Sequence, residues 1–262
     1  MAFTFISGAT GGIGKAFSLE CARRGYDLFL TGRSNEKLAS LKEEILKINA
    51  GLTVHVFACD LTDKSSRGEM LNYIDQNGVK FDRILNVAGV DTQKAFLDYT
   101  EDKVLFQLKV NAEATTHLTY ALLNRRTEAC ELLAVSSMSG VTPMPYFALY
   151  SATKSMITSL YSSLHYELKK QGVKVTVVLP GGVPTREDVI KEIEKQGLWG
   201  KLSVVTPEKL AKKSLKALSK NKMKYVPGGF NKLLNFFMKL VPLKIQLKFI
   251  ANRWKKTSKD AF

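Results

Sequence analysis

Tyr150 and Lys154 stand four residues apart in Tyr150-Ser151-Ala152-Thr153-Lys154, which on a helix places a phenol and an ammonium one turn apart on one face. A free phenol, with a pKa of about 10, neither gives nor takes a proton readily at neutral pH, and a fixed cation beside it is expected to lower that value. Held in this way, Tyr150 protonates an oxygen that gains negative charge and acts as a base in the reverse direction. Upstream, Ser137 lies in Val135-Ser136-Ser137-Met138-Ser139-Gly140 after an apolar run that reads as a strand. Its hydroxyl therefore emerges at the carboxyl edge of a sheet, where it can hold a carbonyl against Tyr150. Asn111, on the preceding helix, is expected to be buried and to complete a proton path through water.

A second chemical site is written in Ser7-Gly8-Ala9-Thr10-Gly11-Gly12-Ile13-Gly14, between the first apolar run and a helical stretch over 15–24. Glycine is needed where the backbone turns sharply, approaches a pyrophosphate and lets helix and strand pack, while the helix N-terminus offers N–H donors to the anion. The position between first strand and first helix makes the glycines specific. After the second strand comes Thr31-Gly32-Arg33-Ser34, with no acid before Glu36. A carboxylate there would bind the ribose of NAD, whereas Arg33 is suited to the extra phosphate of NADP. NADP is therefore the expected cofactor.

These residues need a scaffold that brings strand ends together. Apolar runs read as strands over 3–7, 27–31, 53–58, 83–87, 131–136 and 173–179, with a shorter seventh at 223–226. Most are nearly continuous, as in strands covered on both faces. Segments 37–48, 102–123 and 152–170 between them carry apolar residues three and four apart and predict helices. The expected fold class is α/β: a single Rossmann-type, doubly wound parallel sheet of about seven strands with helices on both faces. It occupies 1–229, and 230–262 forms a basic amphipathic helical extension.

The order of these motifs over residues 1–190 resembles the short-chain dehydrogenase/reductase family. Ser7 replaces the threonine of that family's T-G-x-x-x-G-x-G segment, and Val87 replaces the second asparagine of its N-N-A-G segment in Asn86-Val87-Ala88-Gly89. Pro180-Gly181-Gly182-Val183-Pro184-Thr185 resembles its P-G-x-V-x-T. Asn111, Ser137, Tyr150 and Lys154 match the catalytic tetrad, which implies hydride transfer to a carbonyl with Tyr150 as proton donor. The implied cofactor contacts are Gly8, Thr10, Gly12, Ile13 and Gly14 at the phosphates, with Asp60 and Leu61 at the adenine. Asn86, Ala88, Gly89, Tyr150, Lys154, Pro180, Gly181, Val183 and Thr185 line the nicotinamide end, and Arg33 completes the set. Ser137, Met138, Tyr146 and Tyr150 are the implied substrate contacts; Tyr146 precedes another tyrosine, not a lysine, by four. Ser136 and Ser139 then read as a strand end and a turn. Loss of the second asparagine at Val87 puts a sheet hydrogen bond in question, not the activity.

Met144, Pro145 and Phe147 near the tetrad, with Val189, Ile190, Leu198 and Trp199 where the family keeps its substrate lid, lead to an expectation of a small apolar carbonyl substrate. A catalytically silent NADP-sensing or lipid-binding protein on the same fold is the alternative, and the intact tetrad argues against it. A homodimer or homotetramer is what the resemblance implies. An apolar fraction of 45% and a charged fraction of 24% belong to a soluble globular protein. No apolar run reaches the roughly 18 residues of a membrane span, and the opening residues lack a signal-peptide pattern. Cys21, Cys59 and Cys130 read as reduced core residues, and His55, His117 and His165 have no metal-ligand spacing, so a cytoplasmic, metal-free protein is expected.

Of the net charge of +15, almost all lies from Lys209 onward, where fifteen lysines and arginines face one acid, Asp260. Here Phe230, Leu233, Leu234, Phe237, Leu240 and Val241, then Leu243, Leu247, Ile250 and Trp254, form an apolar stripe among Lys232, Lys239, Lys244, Lys248, Arg253, Lys255 and Lys256. Packing of the stripe on the body or a sister subunit is favoured over peripheral contact with anionic membrane. A nucleic-acid role is not expected, because the basic and aromatic residues form no recognisable binding module.

Overall fold

A computed structural model describes residues 2–185, 190, 202–238 and 240–255. Seven parallel strands make one sheet in the order β3-β2-β1-β4-β5-β6-β7. They are β1 (Ala2–Ser7), β2 (Leu28–Gly32), β3 (Val54–Ala58), β4 (Lys80–Asn86), β5 (Arg126–Val135), β6 (Val173–Val178) and β7 (Lys224–Tyr225). Helices α1 (Gly12–Arg23), α2 (Asn35–Ile48), α3 (Lys64–Gln76), α4 (Glu101–Leu108), α5 (Thr115–Leu123) and α6 (Ala148–Glu167) join the first six. Helix α7 (Pro207–Ser219) leads to β7, and α8 (Gly229–Met238) and α9 (Leu243–Trp254) follow.

Period-two alternation within the strands divides the core in two. Phe5, Ile84, Leu132 and Val177 point to one face, among side chains of α3, α5 and α6. Their neighbours Ile6, Leu85, Leu133 and Val178 point to the other, among side chains of α1, α2 and α7. Both faces are therefore dry, which is why the strands read as continuous apolar runs. Winding reverses between β1 and β4, so a crevice opens beyond the carboxyl ends of those two strands, where open α/β sheets bind ligands.

Two expectations are corrected. The single helix predicted over 102–123 is interrupted by a π-helical turn, Lys109–Ala114, that separates α4 from α5. Hydrophobic spacing persists across such a turn because it adds only one residue to the repeat. The tail stripe is split: Ile250 is buried and Phe230, Leu234, Val241, Leu247 and Trp254 are half-covered, but Leu233, Phe237, Leu240 and Leu243 are exposed. Helix α8 is apolar on nearly every side, so one face can dock while another stays in water.

Candidate active site

At the cofactor end, β1 delivers Gly8 in a left-handed conformation, φ +64°, that glycine adopts without strain. Gly14 sits so close to this turn that a Cβ on it would lie 2.0 Å from the Gly8 carbonyl oxygen. Ser34, Asp63, Thr100 and Thr206 cap their helices with side-chain oxygens, whereas α1 begins at Gly11 with no side-chain cap. Its first N–H groups thus receive no side-chain oxygen from the capping position. Thr185, from the segment after β6, packs against this helix start, and a Cβ on Gly12 would come within 2.8 Å of the Thr185 Cβ. Thr10 lies over Gly32, where a Cβ would be 3.1 Å from the Thr10 Oγ1. Ile13 is half-buried and Val183 buried, both against the α1 side of the core.

Arg33 is exposed at the end of β2. Burial alone would raise the Asp60 carboxyl, but hydrogen bonds from Thr62 and the charges of Arg33 and Arg67 hold it below its ordinary value. Asp60 accepts from the Thr62 backbone N at 2.9 Å and its Oγ1 at 2.8 Å. Leu61 is fixed by the buried Arg67, whose Nη1 donates to its carbonyl. Asn86 turns into the core, its Nδ2 donating to Thr119 Oγ1 at 3.0 Å and Tyr161 OH at 2.8 Å. Ser7 Oγ accepts from the backbone N of Val87 at 3.0 Å and of Ala88 at 3.2 Å. The hydroxyl at position 7 thus stitches β1 to the start of the β4 loop although Val87 brings no amide of its own.

At the reacting end, four segments converge. The π-turn aims Asn111, buried to 1% exposure, at Val90. Its Oδ1 accepts from the Val90 N and its Nδ2 donates to the Val90 O, each at 2.8 Å, and Nδ2 also donates to Thr153 Oγ1 at 3.1 Å. Lys154, buried on α6, donates from Nζ to the Val135 carbonyl at 2.9 Å. A Cβ on Gly89 would meet that Nζ at 3.0 Å and Asn111 Oδ1 at 3.5 Å. Lys154 Nζ is 5.6 Å from the Tyr150 ring centroid, and the Phe147 ring stacks on that of Tyr150 at 4.5 Å between centroids.

Ser137 follows β5 by two residues in extended backbone, its Oγ accepting from the Ser139 N at 3.2 Å, and its hydroxyl bonds to the Tyr150 phenol in a way that favours ionisation. Ser136 instead donates to the Lys154 carbonyl at 2.8 Å and shares a hydrogen with Thr158 Oγ1, pinning α6 to the strand end. Ser139 is buried with its Oγ unpartnered. Met138 is half inside, packed against the core. Tyr146 holds φ 62°, a conformation that costs a residue with a Cβ about 1 kcal/mol. Pro180 accepts from the Met138 N at 2.9 Å, and Gly181 abuts Asn231 of α8. Val189, Leu198 and Trp199 of the expected lid lie outside the described residues, as do Lys239 and Lys256 of the tail; Ile190 is exposed.

The expected acidification of Tyr150 by Lys154 is not what the structure shows. Burial, assisted by the nearby Asp91 carboxylate, pushes the phenol above its ordinary value against the Ser137 hydrogen bond. Burial also pulls Lys154 down to about 8, opposed by Asp91. Removing each group from water penalises its charged form, and that cost outweighs the Ser137 hydrogen bond at Tyr150 and the Asp91 charge at Lys154. Asp91, Arg67 and the Val90 backbone had no place in the sequence reading; the carboxylate two residues past Gly89 was the only signal available. Cys21, Cys59 and Cys130 are buried free thiols, and no group of three or more potential metal-ligating side chains occurs among the described residues.

The glycine turn, uncapped helix and strand-end cluster on a doubly wound sheet define a dinucleotide-dependent oxidoreductase. The chain belongs to the short-chain dehydrogenase family, whose model matches residues 2–195. It is 30% identical over 217 residues to a very-long-chain 3-oxoacyl-CoA reductase-like protein of Arabidopsis thaliana, covering 80% of this chain and 68% of the relative. An uncharacterized oxidoreductase of Staphylococcus epidermidis is 29% identical over 69% of this chain and 77% of its own. Among solved structures, a 7β-hydroxysteroid dehydrogenase superposes with a TM-score of 0.84 at 22% identity, over 95% of this chain and 96% of that one. The family's cofactor is a nicotinamide dinucleotide and its members act on small molecules, commonly as oligomers.

Proposed function

We propose that this protein is an NADP(H)-dependent reductase of a ketone or aldehyde on a small apolar molecule. The observation that carries the reading is the convergence of Tyr150, Ser137, Lys154 and Asn111 around Gly89, at the sheet edge that also carries the Gly8 turn. The tight turn at Gly8 and Gly14, leading to the helix start at Gly12 where no side chain caps the N–H groups, supports a pyrophosphate at this end. NADPH, when bound, supplies the hydride. Arg33, at the end of β2 with no acid before Glu36, serves the adenosine phosphate, and Asp60 and Leu61 border the adenine. Asn86 contributes through the backbone of its segment, because its amide is committed to the core.

Tyr150 carries its proton at neutral pH, as a donor to a forming alkoxide must. Ser137 steadies the carbonyl oxygen against it. Lys154 holds the cofactor ribose and Asn111 fixes the Gly89–Val90 turn beneath it. Met138 and Tyr146 border the substrate, whose apolar character is supported by Phe147 against Tyr150. Relatives that reduce 3-oxoacyl chains and neighbours that act on steroids make such ketones the first compounds to test. The active unit is a homodimer or homotetramer in the cytoplasm. A panel of hydrophobic ketones assayed for NADPH oxidation tests the reading: turnover of at least one, with NADPH preferred over NADH, is expected. Tight NADPH binding with no turnover of any would favour the cofactor-sensing alternative.

A further inference from the structure

We propose that α8 and α9 form an interfacial anchor that seats on an anionic lipid surface beside the active-site mouth. Leu233, Phe236, Phe237, Leu240, Ile245 and Phe249 are each more than half exposed, Leu240 at 67% and Ile245 at 60%. Six large apolar side chains contributed by two consecutive short helices and the turn between them exceed the scattered exposure of an ordinary surface. The pair is nevertheless built into the fold. Asn231, at 2% exposure, donates to the carbonyls of Ser203 at 2.8 Å and Pro227 at 3.0 Å. Gln246 closes the turn between the helices by donating to the Met238 and Val241 carbonyls at 2.6 and 2.7 Å. Ile250 fills the inner side at 7% exposure. The inner contacts are thus satisfied without the outer face, which is left for a partner.

Charge selects the partner. From Lys232 onward the chain carries eight lysines and arginines and one acid, the pattern of a helix whose apolar face enters the acyl boundary while cations meet anionic headgroups. A second copy of the same face would bring basic residues against basic residues in any two-fold contact. Nucleic acid would leave the phenylalanines and leucines without a partner. Neither helix crosses a bilayer, since no described helix is long and apolar enough to do so. Asn231 abuts Gly181, in the segment that continues to Val183 and Thr185, so the inner side of α8 is tied to the segment that borders the site. If the reading of an apolar carbonyl substrate holds, this geometry lets it enter from the lipid phase.

The full chain sedimented with vesicles of phosphatidylcholine, with or without about 30% phosphatidylserine, tests the anchor directly. At least tenfold more protein should pellet with the anionic vesicles, and about 0.5 M salt should reverse most of this. The triple variant Phe236→Ser, Phe237→Ser, Phe249→Ser should stay in the supernatant while keeping wild-type NADPH binding and thermal unfolding. No binding to either vesicle, or equal binding to both, would overturn the proposal. So would a wild-type oligomer that the triple variant dissociates while vesicle binding is unchanged. No substrate is present, so the outcome is independent of whether the carbonyl reductase reading survives.

Discussion

Tyr150 is half-buried and Lys154 buried, and in each the cost of leaving water falls on the charged form, with opposite consequences for their protons. The phenol is kept protonated and the ammonium is brought down to about 8 from 10.5. Between those two values the unfolded chain binds more protons at Lys154 than the folded one, so this residue's contribution to stability rises with pH there. Below 8 the native state bears the full cost of the buried ammonium. Melting temperatures of wild type and Lys154→Met should therefore differ in a pH-dependent way, moving in favour of the wild type between pH 8 and 10; a constant difference would contradict the assigned burial. Arg33→Ala should raise the Kd for NADPH about tenfold or more and leave NADH unchanged, because a charge-assisted contact to phosphate is lost; fluorescence titration checks it, and equal weakening of both would remove the phosphate assignment. The tetrad was legible because residue type and spacing carry it. Its protonation was not, since burial belongs to the tertiary fold.

At the scale of elements, the π-turn before α5 is what brings the Asn111 carboxamide onto both polar groups of Val90. Asn111→Leu strands two backbone groups in a buried place and should cost about 2 kcal/mol or more in urea unfolding. Asn111→Asp keeps the acceptor but sets a second oxygen against the Val90 carbonyl, so it should destabilise as well; an Asp variant as stable as wild type would mean that the donor half of the clamp does not matter. Strands and helices were readable from period and composition, with ends displaced by a few residues, as in β5, which begins at Arg126 rather than near 131. The π-turn left no trace in the apolar spacing. Likewise, the Ser7 bonds to Val87 and Ala88 depend on register between β1 and β4, which a lone sequence states only loosely.

For the molecule as a whole, the reversal of winding between β1 and β4 gathers Gly8, Gly89, Ser137 and Thr185 at one edge of the sheet, although up to 177 positions separate them. That gathering was foreseeable from alternating strands and helices, because right-handed crossovers allow few arrangements. Which face of the tail docks was not foreseeable, since α8 is apolar on both sides and only the polar anchors Asn231 and Gln246 decide. The Tyr150→Phe variant bears most directly on the whole account. Once a ketone substrate is in hand, it should bind NADPH as the wild type does and lose roughly 10²- to 10⁴-fold in turnover; turnover close to wild type, with binding intact, would show that the proton comes from elsewhere.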